Sequence, residues 1–208
     1  MIHMKSVNIN SYAKVNIGLK ILNKRSDGYH NISTVFQEID LCDSLIISKR
    51  KGDLKFSSNV AWLQNDQNNL CVIAYNHIKK LYDIGGANII LKKNISRGSG
   101  LGSGSSNAAA VMKGLREIYD LKVADDELIK IGSKIGADVP FFINGSTQIG
   151  EGIGEKLTAM NSLLAVQYLI VTPDISIDTK WAYSQYKNKL DKCSQPTKFS
   201  YLFRDKSI

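Results

Sequence analysis

Residues 97–106 read RGSGLGSGSS, with a glycine at every second position from Gly98 to Gly104, and they lead directly into a segment with helical periodicity. Because glycine has no Cβ, such a segment can bend tightly and turn its backbone N–H groups towards a ligand. The helix that follows begins with unpaired N–H groups and a partial positive charge. Ser105 and Ser106 add hydroxyls that could bind a phosphate oxygen or a Mg²⁺ ion. Together these features predict a cradle for a polyphosphate.

Two other phosphate-binding patterns fit this glycine segment poorly. A Walker A loop requires a lysine after its last glycine, where this chain has Ser105. A Rossmann fingerprint that starts at Gly98 or Gly100 would end on a serine instead of a glycine. A flexible Gly/Ser linker is the remaining alternative, but a linker does not normally run straight into an amphipathic helix. Phosphate binding is therefore the favoured interpretation.

The periodicity of apolar residues along the chain predicts a mixture of strands and helices. We expect strands over residues 6–22, 33–39, 44–48, 87–95, 146–149 and 165–171, and helices over residues 69–81, 107–120, 125–135 and 178–190, the last capped by Asp178. We expect residues 50–68 to be irregular and residues 136–142 and 150–154 to form turns. Because strands and helices do not alternate regularly, the order indicates an α+β fold.

Composition narrows the class of protein further. The chain has 208 residues, of which 43% are hydrophobic, so it can bury a core. No apolar run approaches the roughly 18 residues of a transmembrane helix, and the first residues lack the pattern of a signal peptide. Three scattered cysteines argue against a disulfide framework or a zinc site. These features predict a soluble cytoplasmic protein with free thiols, and we expect no membrane partner.

The net charge of +8 is unevenly distributed along the chain. Seven of the 27 basic residues but only two of the 19 acidic residues lie in residues 180–208. A basic tail of this kind is more often a solvated surface than a nucleic-acid site, and RNA-binding signatures are absent. We therefore expect no nucleic-acid partner, and the remaining positive charge would suit a small anionic ligand.

The segment RGSGLGSGSSNAAAV, residues 97–111, resembles the phosphate-binding motif of the GHMP kinases, the superfamily of galactokinase, homoserine, mevalonate and phosphomevalonate kinases. Four further blocks, residues 13–43, 68–81, 135–157 and 171–186, resemble the branch that acts on 4-diphosphocytidyl-2-C-methyl-D-erythritol in the MEP route to isoprenoid precursors. The resemblance implies a GHMP kinase fold. We expect a two-layer N-terminal domain like ribosomal protein S5 domain 2 over residues 1–150, and the start of an incomplete C-terminal α/β domain over residues 151–208.

The same resemblance implies the reaction and its catalytic residues. ATP, with Mg²⁺, would donate its γ-phosphoryl group to the 2-hydroxyl of the cytidyl substrate, by direct in-line transfer. Lys14 would help to activate that hydroxyl and steady the phosphates, and Asp138 would be the general base. A lysine beside a carboxylate suits phosphoryl transfer, because the cation favours the ionised base. Without the resemblance, Lys14 would be an outward-facing lysine of a strand and Asp138 a capping or turn residue.

Other residues are assigned to the two substrates by the resemblance. Tyr29 and Tyr183 would stack on the two faces of the cytosine ring, His30 would hydrogen-bond its polar edge, and Asn16 would contact the substrate near Lys14. Taken alone, Tyr183 would be a core residue and His30 a surface or packing residue. The residues implied to bind ATP are Ser96, Arg97, Gly98, Ser99, Gly100, Leu101, Gly102, Ser103, Gly104, Ser105, Ser106 and Asn69. No protein residue is assigned as a metal ligand.

The chain departs from the family pattern at two places. Ser96, Arg97 and Ser99 replace residues that are usually proline, small or apolar, and Ser103 adds a Cβ where the backbone could need a positive φ. After Tyr183 nothing matches the Gly/Ser-rich motif of the family's C-terminal domain. Three alternatives therefore stay open: a truncated fragment that binds nucleotide without turnover, a GHMP kinase for another small alcohol, and a basic RNA-binding domain with an S5-like fold.

Overall fold

The computed structural model describes residues 5–64, 66–160, 166–172, 177 and 179–185. The strands are β1 (Ser6–Lys24), β2 (His30–Arg50), β3 (Lys55–Ser58), β4 (Gly86–Lys92), β5 (Thr147–Gly152) and β6 (Lys156–Ala159). The helices are α1 (Ala61–Gln64), α2 (Leu70–Tyr82), α3 (Ser103–Tyr119), α4 (Asp125–Gly132), α5 (Val139–Asn144) and α6 (Thr179–Ser184). No helix in these ranges is long and apolar enough to cross a membrane.

The long strand β2 organises a six-stranded sheet. It pairs antiparallel with β1 along one edge, while on the other edge its first half pairs with β5 and its second half with β4. The short strands β6 and β3 extend these two ends, and β3 lies parallel to β4. A single 21-residue strand therefore connects the part of the sheet beside β4 to the part beside β5.

Irregularities in the pairing of β1 with β2 change which residues of β1 face the helices. The register shifts between Tyr12 and Ala13, and again between Asn16 and Leu19, where Gly18 has a φ of 74°. Ser11, before the first shift, hydrogen-bonds to Ser106 of α3, and the side chain of Lys14, after it, also lies against the start of α3. Since regular alternation would place these two residues on opposite faces, the bulge turns Lys14 inward.

Helix α3 packs across the sheet through small residues. Ala108, Ala109 and Ala110 are buried, and a Cβ at Gly114 would lie only 2.5 Å from Cδ1 of Ile47. Helix α2 packs on one side of α3, and helices α4 and α5 pack on the other side of α3. The apolar side chains between these helices and the sheet form one main core, which confirms the predicted two-layer α+β fold.

The observed elements differ from the sequence prediction in several places. Strand β2 is continuous through the predicted break between residues 39 and 44, and the sequence does not predict β3, α1, α5 or β6. Helix α5 is only six residues long and is buried on all sides except at Asn144, so it has no readable helical period. The end of β5 occupies the start of the predicted turn over residues 150–154, and the proposed domain boundary at residue 150 stays a prediction.

The predicted strand over residues 165–171 is wrong for its described part. Residues 166–172 pair with no strand among the described residues, and Leu169 is 91% exposed. An apolar run indicates a buried strand only if a neighbour supplies backbone partners, and periodicity does not reveal that neighbour. Asp178 and residues 186–190 of the last predicted helix lie outside the described residues.

Candidate active site

The glycine segment forms a loop with three residues in the left-handed region. Gly98, Gly100 and Gly102 have φ values of 68°, 74° and 71°. Ser103 is the first residue of α3 and is not among the residues with positive φ, so its Cβ causes no strain there. Gly102 is the N-cap and provides no side-chain hydrogen bond, which leaves N–H groups of the first turn available to an anion.

The glycine loop is joined closely to strand β1 and helix α5. The amide of Lys14 donates a 3.0 Å hydrogen bond to the carbonyl of Leu101, whose side chain is buried. A Cβ at Gly102 would lie 2.8 Å from the ring of Phe142 and 3.2 Å from Cγ of Lys14. The loop therefore passes directly over Lys14, and only a glycine fits at position 102.

Lys14 is 6% exposed and is held by polar and aromatic neighbours. Its Nζ donates a 2.6 Å hydrogen bond to Oδ1 of Asn16, and Asn16 donates in turn to Oγ1 of Thr34. Nζ also lies 5.5 Å from the centroid of the Phe36 ring. Burial lowers the pKa of Lys14, and the negative charge of Asp138 partly opposes this effect. The structure thus brings Lys14, Asn16 and Asp138 into one region.

Asp138 occupies the N-cap of α5, but its carboxylate makes no capping hydrogen bond. A capping role, the structural alternative for this residue, therefore does not account for its side chain. Two residues earlier, a Cβ at Gly136 would lie 3.7 Å from Oγ of Ser105. The half-buried carboxylate is consequently carried on a turn that touches the first turn of α3, close to where a phosphate would bind.

The aromatic residues of the predicted cytidine site lie at the β1–β2 turn and on α6. The rings of His30 and Tyr183 stack with centroids 5.8 Å apart and planes at 28°. Burial raises the pKa of Tyr183, and the charge of Asp138 raises it further. Tyr29 is 58% exposed, and its N–H donates to Asp27. Tyr183 thus lies between the turn and Asp138, and it stacks on His30.

Two residues assigned to ATP direct their side chains elsewhere. Asn69 caps α2, since its Oδ1 accepts from the amide of Cys71 and its Nδ2 donates to the carbonyl of Leu63. The hydroxyl of Ser106 is buried and accepts from Ser11. A contact of either residue with a nucleotide would therefore have to use the backbone, and both assignments stay predictions.

The start of the glycine loop contains a contact that the sequence did not indicate. The guanidinium of Arg97 lies 4.6 Å from the ring centroid of Trp62, which is 44% exposed on α1. Ser99 Oγ donates to the carbonyl of Ser96, which closes the turn around Arg97. Because Trp62 is 35 positions before Arg97 in a segment expected to be irregular, no local pattern connects the two residues.

The described residues contain no group of three or more His, Cys, Asp or Glu side chains that could hold a metal ion. Mg²⁺ usually keeps several waters and binds through substrate phosphates with one or two carboxylates. The carboxylate of Asp138 and the hydroxyl of Ser105 are oxygen donors suited to such an ion, and a Cβ at Gly136, two residues before Asp138, would lie 3.7 Å from the Ser105 hydroxyl. The site therefore fits a cation that arrives with a nucleotide better than a permanently bound one.

Comparison with known proteins places this fold and loop in a defined class. Residues 69–146 match the model of the GHMP kinases N terminal domain. The chain is 39% identical to 4-diphosphocytidyl-2-C-methyl-D-erythritol kinase of Acetivibrio thermocellus, an alignment that covers 88% of this chain and 65% of that protein. It is 42% identical to the enzyme of the same name from Pseudothermotoga lettingae, over 87% of this chain and 67% of that protein.

Solved structures agree with the sequence comparisons. A crystal structure of 4-(cytidine 5'-diphospho)-2C-methyl-D-erythritol kinase superposes with a TM-score of 0.64 at 34% identity, covering 74% of this chain and 55% of that one. Mevalonate kinase of Methanococcus jannaschii, at 17% identity and a TM-score of 0.58, shares the fold. The chain belongs to the GHMP kinases and, within them, to the 4-diphosphocytidyl-2-C-methyl-D-erythritol kinase family. It spans about two thirds or slightly less of the length of these curated relatives.

Proposed function

We propose that this chain binds ATP and 4-diphosphocytidyl-2-C-methyl-D-erythritol and transfers the γ-phosphoryl group to the 2-hydroxyl of the latter. The family relationship supports this proposal, and GHMP kinases use ATP. The observation that carries it is the convergence of Lys14, Asp138 and the glycine loop at the N-terminus of α3. The proximity of a cation, a carboxylate and a glycine loop supports the proposal, because phosphoryl transfer depends on positioning such groups around the phosphates.

The proposed division of labour follows from these positions. Backbone N–H groups of the glycine loop and of the first turn of α3 would bind the phosphates, and Lys14 would lie beneath them. Asp138 would accept the proton of the 2-hydroxyl as its oxygen bonds to the γ-phosphorus and the β–γ bridging bond breaks, releasing ADP. Mg²⁺ would neutralise charge on the transferring phosphoryl group. No covalent intermediate on the protein is needed.

The cytidyl end of the substrate would lie against the aromatic residues at the β1–β2 turn. Tyr29, His30 and Tyr183 provide one exposed ring and one stacked pair within reach of a planar base. Asn16, bonded to Lys14, would contact the part of the substrate between the base and the reacting hydroxyl. The substrate would thus extend from the turn towards Asp138.

An assay of ADP release, coupled to NADH oxidation, tests the proposal. The full chain is given MgATP with the cytidyl substrate, with mevalonate and with homoserine in separate reactions. We expect turnover with the cytidyl substrate alone. Turnover with mevalonate or homoserine would support the hypothesis of a GHMP kinase for another alcohol. Nucleotide binding without any turnover would contradict catalysis by this chain and support the hypothesis of a binding fragment.

A further inference from the structure

A buried polar cluster lies beneath the start of α3, apart from the residues proposed to react. Its members are Ser11 on β1, Asp43 on β2, Lys93 after β4, and Ser106 and Asn107 on α3. Asp43 is fully buried, and the side chain of Lys93 is 6% exposed. We call this set the Asp43 cluster. The hydrogen bonds of this cluster run among its own side chains and to the amides of Asn94 and Ile95, so the proposed reaction does not explain why charges are buried here.

Asp43 contacts the chain on both sides of the glycine loop. Before the loop, its Oδ1 accepts hydrogen bonds from the amides of Asn94 at 2.7 Å and Ile95 at 2.9 Å. The ammonium of Lys93, also before the loop, donates to Oδ2 of Asp43, and after the loop Nδ2 of Asn107 donates to the same oxygen at 2.9 Å. One carboxylate therefore holds the entry and the exit of the loop to the same point of strand β2.

The other members of the cluster extend this connection to β1. Asn107 donates to Oγ of Ser11 at 2.8 Å, and Ser11 donates to Ser106 at 2.7 Å. Lys93 also donates to Oδ1 of Asn107 at 3.2 Å. The exit of the loop is thus bonded directly to the strand that carries Lys14, and the entry is connected to that strand through Lys93 and Asn107.

The location of the Asp43 cluster indicates its role better than any contribution to the stability of the fold does. A buried ion pair seldom stabilises a fold more than apolar side chains of similar volume, because both charges lose their hydration. Its directional hydrogen bonds, however, hold their partners in one arrangement. Here those partners are the two ends of a loop whose glycines can adopt many conformations.

We propose that Asp43 is a positioning residue that holds the glycine loop in its phosphate-binding conformation by binding the backbone before it and Asn107 after it. This inference rests on the proposed binding of ATP by the loop. Loss of the carboxylate would let the two ends separate, and nucleotide affinity would fall because the loop would have to be reordered on binding. The cytidyl site, which lies on β1, β2 and α6, would be affected far less.

Calorimetric titration of the full-length chain and its Asp43→Asn variant tests this proposal. The probes are a non-hydrolysable ATP analogue with Mg²⁺ and, separately, cytidine diphosphate. We expect the variant to bind the ATP analogue about tenfold more weakly or worse, with affinity for cytidine diphosphate changed less than about twofold. Amide hydrogen exchange over residues 94–104 should also be faster in the variant. Unchanged affinity for the ATP analogue would overturn the proposal.

Ile118→Ala serves as the control for lost stability, because Ile118 is buried at the opposite end of α3. If Asp43→Asn weakens both ligands in parallel, as a merely destabilised protein would, the positioning role is refuted. If Asp43→Asn does not fold, Lys93→Met replaces it, since this variant keeps the Asp43 carboxylate and removes one of its partners. We expect Lys93→Met to weaken binding of the ATP analogue by a smaller factor. Unchanged affinity would refute the positioning role. A wild-type chain that binds no ATP analogue would contradict the proposed function, and hydrogen exchange over residues 94–104 would still decide whether Asp43 holds the loop.

Discussion

The backbone amide of Lys14 donates a 3.0 Å hydrogen bond to the carbonyl of Leu101, so the strand that carries the candidate catalytic lysine is bonded to the glycine loop. Gly102, the next residue of the loop, passes within van der Waals reach of the lysine side chain. The glycine loop and the lysine are therefore packed directly against each other, and changes at either of them should affect the other.

Replacing Gly102 with alanine should lower the free energy of unfolding by about 3 kcal/mol. Roughly 1–2 kcal/mol would come from the left-handed backbone and the remainder from the clash of the new Cβ with Phe142. Gly100→Ala is the matched control, since Gly100 has a similar φ but open space around its Cβ position. We expect it to cost about 1–2 kcal/mol in urea denaturation. Equal losses in the two variants would show that the close approach at Gly102 has no energetic consequence.

Asp138→Asn should reduce kcat for the cytidyl substrate by about 10²–10⁴-fold, the usual contribution of a general base. The KM for ATP should change little, because the carboxylate is proposed to act on the acceptor hydroxyl. Asp120→Asn is the control, since Asp120 pairs with Lys5 on the surface at the far end of α3. Steady-state kinetics measure both effects. Retention of kcat in Asp138→Asn would remove Asp138 from the role of base.

Lys14→Met should abolish a gain in stability that the wild-type chain shows in alkaline solution. Burial lowers the folded-state pKa of Lys14 below its ordinary value of 10.5, so the folded state carries a desolvation penalty while the lysine is charged. Between the lowered pKa and 10.5, Lys14 binds more protons in the unfolded state than in the folded state. The contribution of Lys14 to the free energy of unfolding therefore rises as pH rises through this window. The wild-type minus variant difference should therefore increase over this window.

Denaturant titrations of wild type and variant at a series of alkaline pH values measure this difference. Lys122→Met is the control for the loss of a lysine at an exposed position. At neutral pH the Lys14→Met variant should be no less stable than wild type, because a buried charge is replaced by an apolar side chain of similar length. A flat difference for Lys14→Met would contradict the link between its burial and its pKa.

Tyr183→Ala should raise the KM for the cytidyl substrate by roughly 2–13-fold, the range that corresponds to the loss of one aromatic stacking partner. Tyr183→Phe keeps the ring that stacks on His30 and should retain a KM near that of wild type. The KM for ATP is expected to stay constant in both variants, because Tyr183 is proposed to contact only the cytidyl substrate. An equal rise in both KM values would indicate a general disturbance of the site.

Much of the fold could be predicted because each long element leaves a local signal. The apolar periods of α2, α3 and α4 located these helices within a few residues, and the strands of the main sheet were largely found. Helix α3 begins four residues earlier than predicted, inside the glycine segment, because serine and glycine carry no apolar period. The short helices α1 and α5 are not predicted because four and six residues are too few to show a helical period.

The capacity of the glycine segment to bend and turn its N–H groups inward was determined by the sequence alone, because glycine has no Cβ whatever surrounds it. The structure showed which glycines, Gly98, Gly100 and Gly102, adopt a positive φ. Family resemblance supplied the candidate roles of Lys14 and Asp138. Only the tertiary structure decided that Lys14 points inward, because the expected alternation breaks where the register between β1 and β2 shifts. It alone also brought Asp43 to the two ends of the loop, 51 residues before Asn94 and 64 before Asn107, since such contacts depend on strand pairing and not on local sequence.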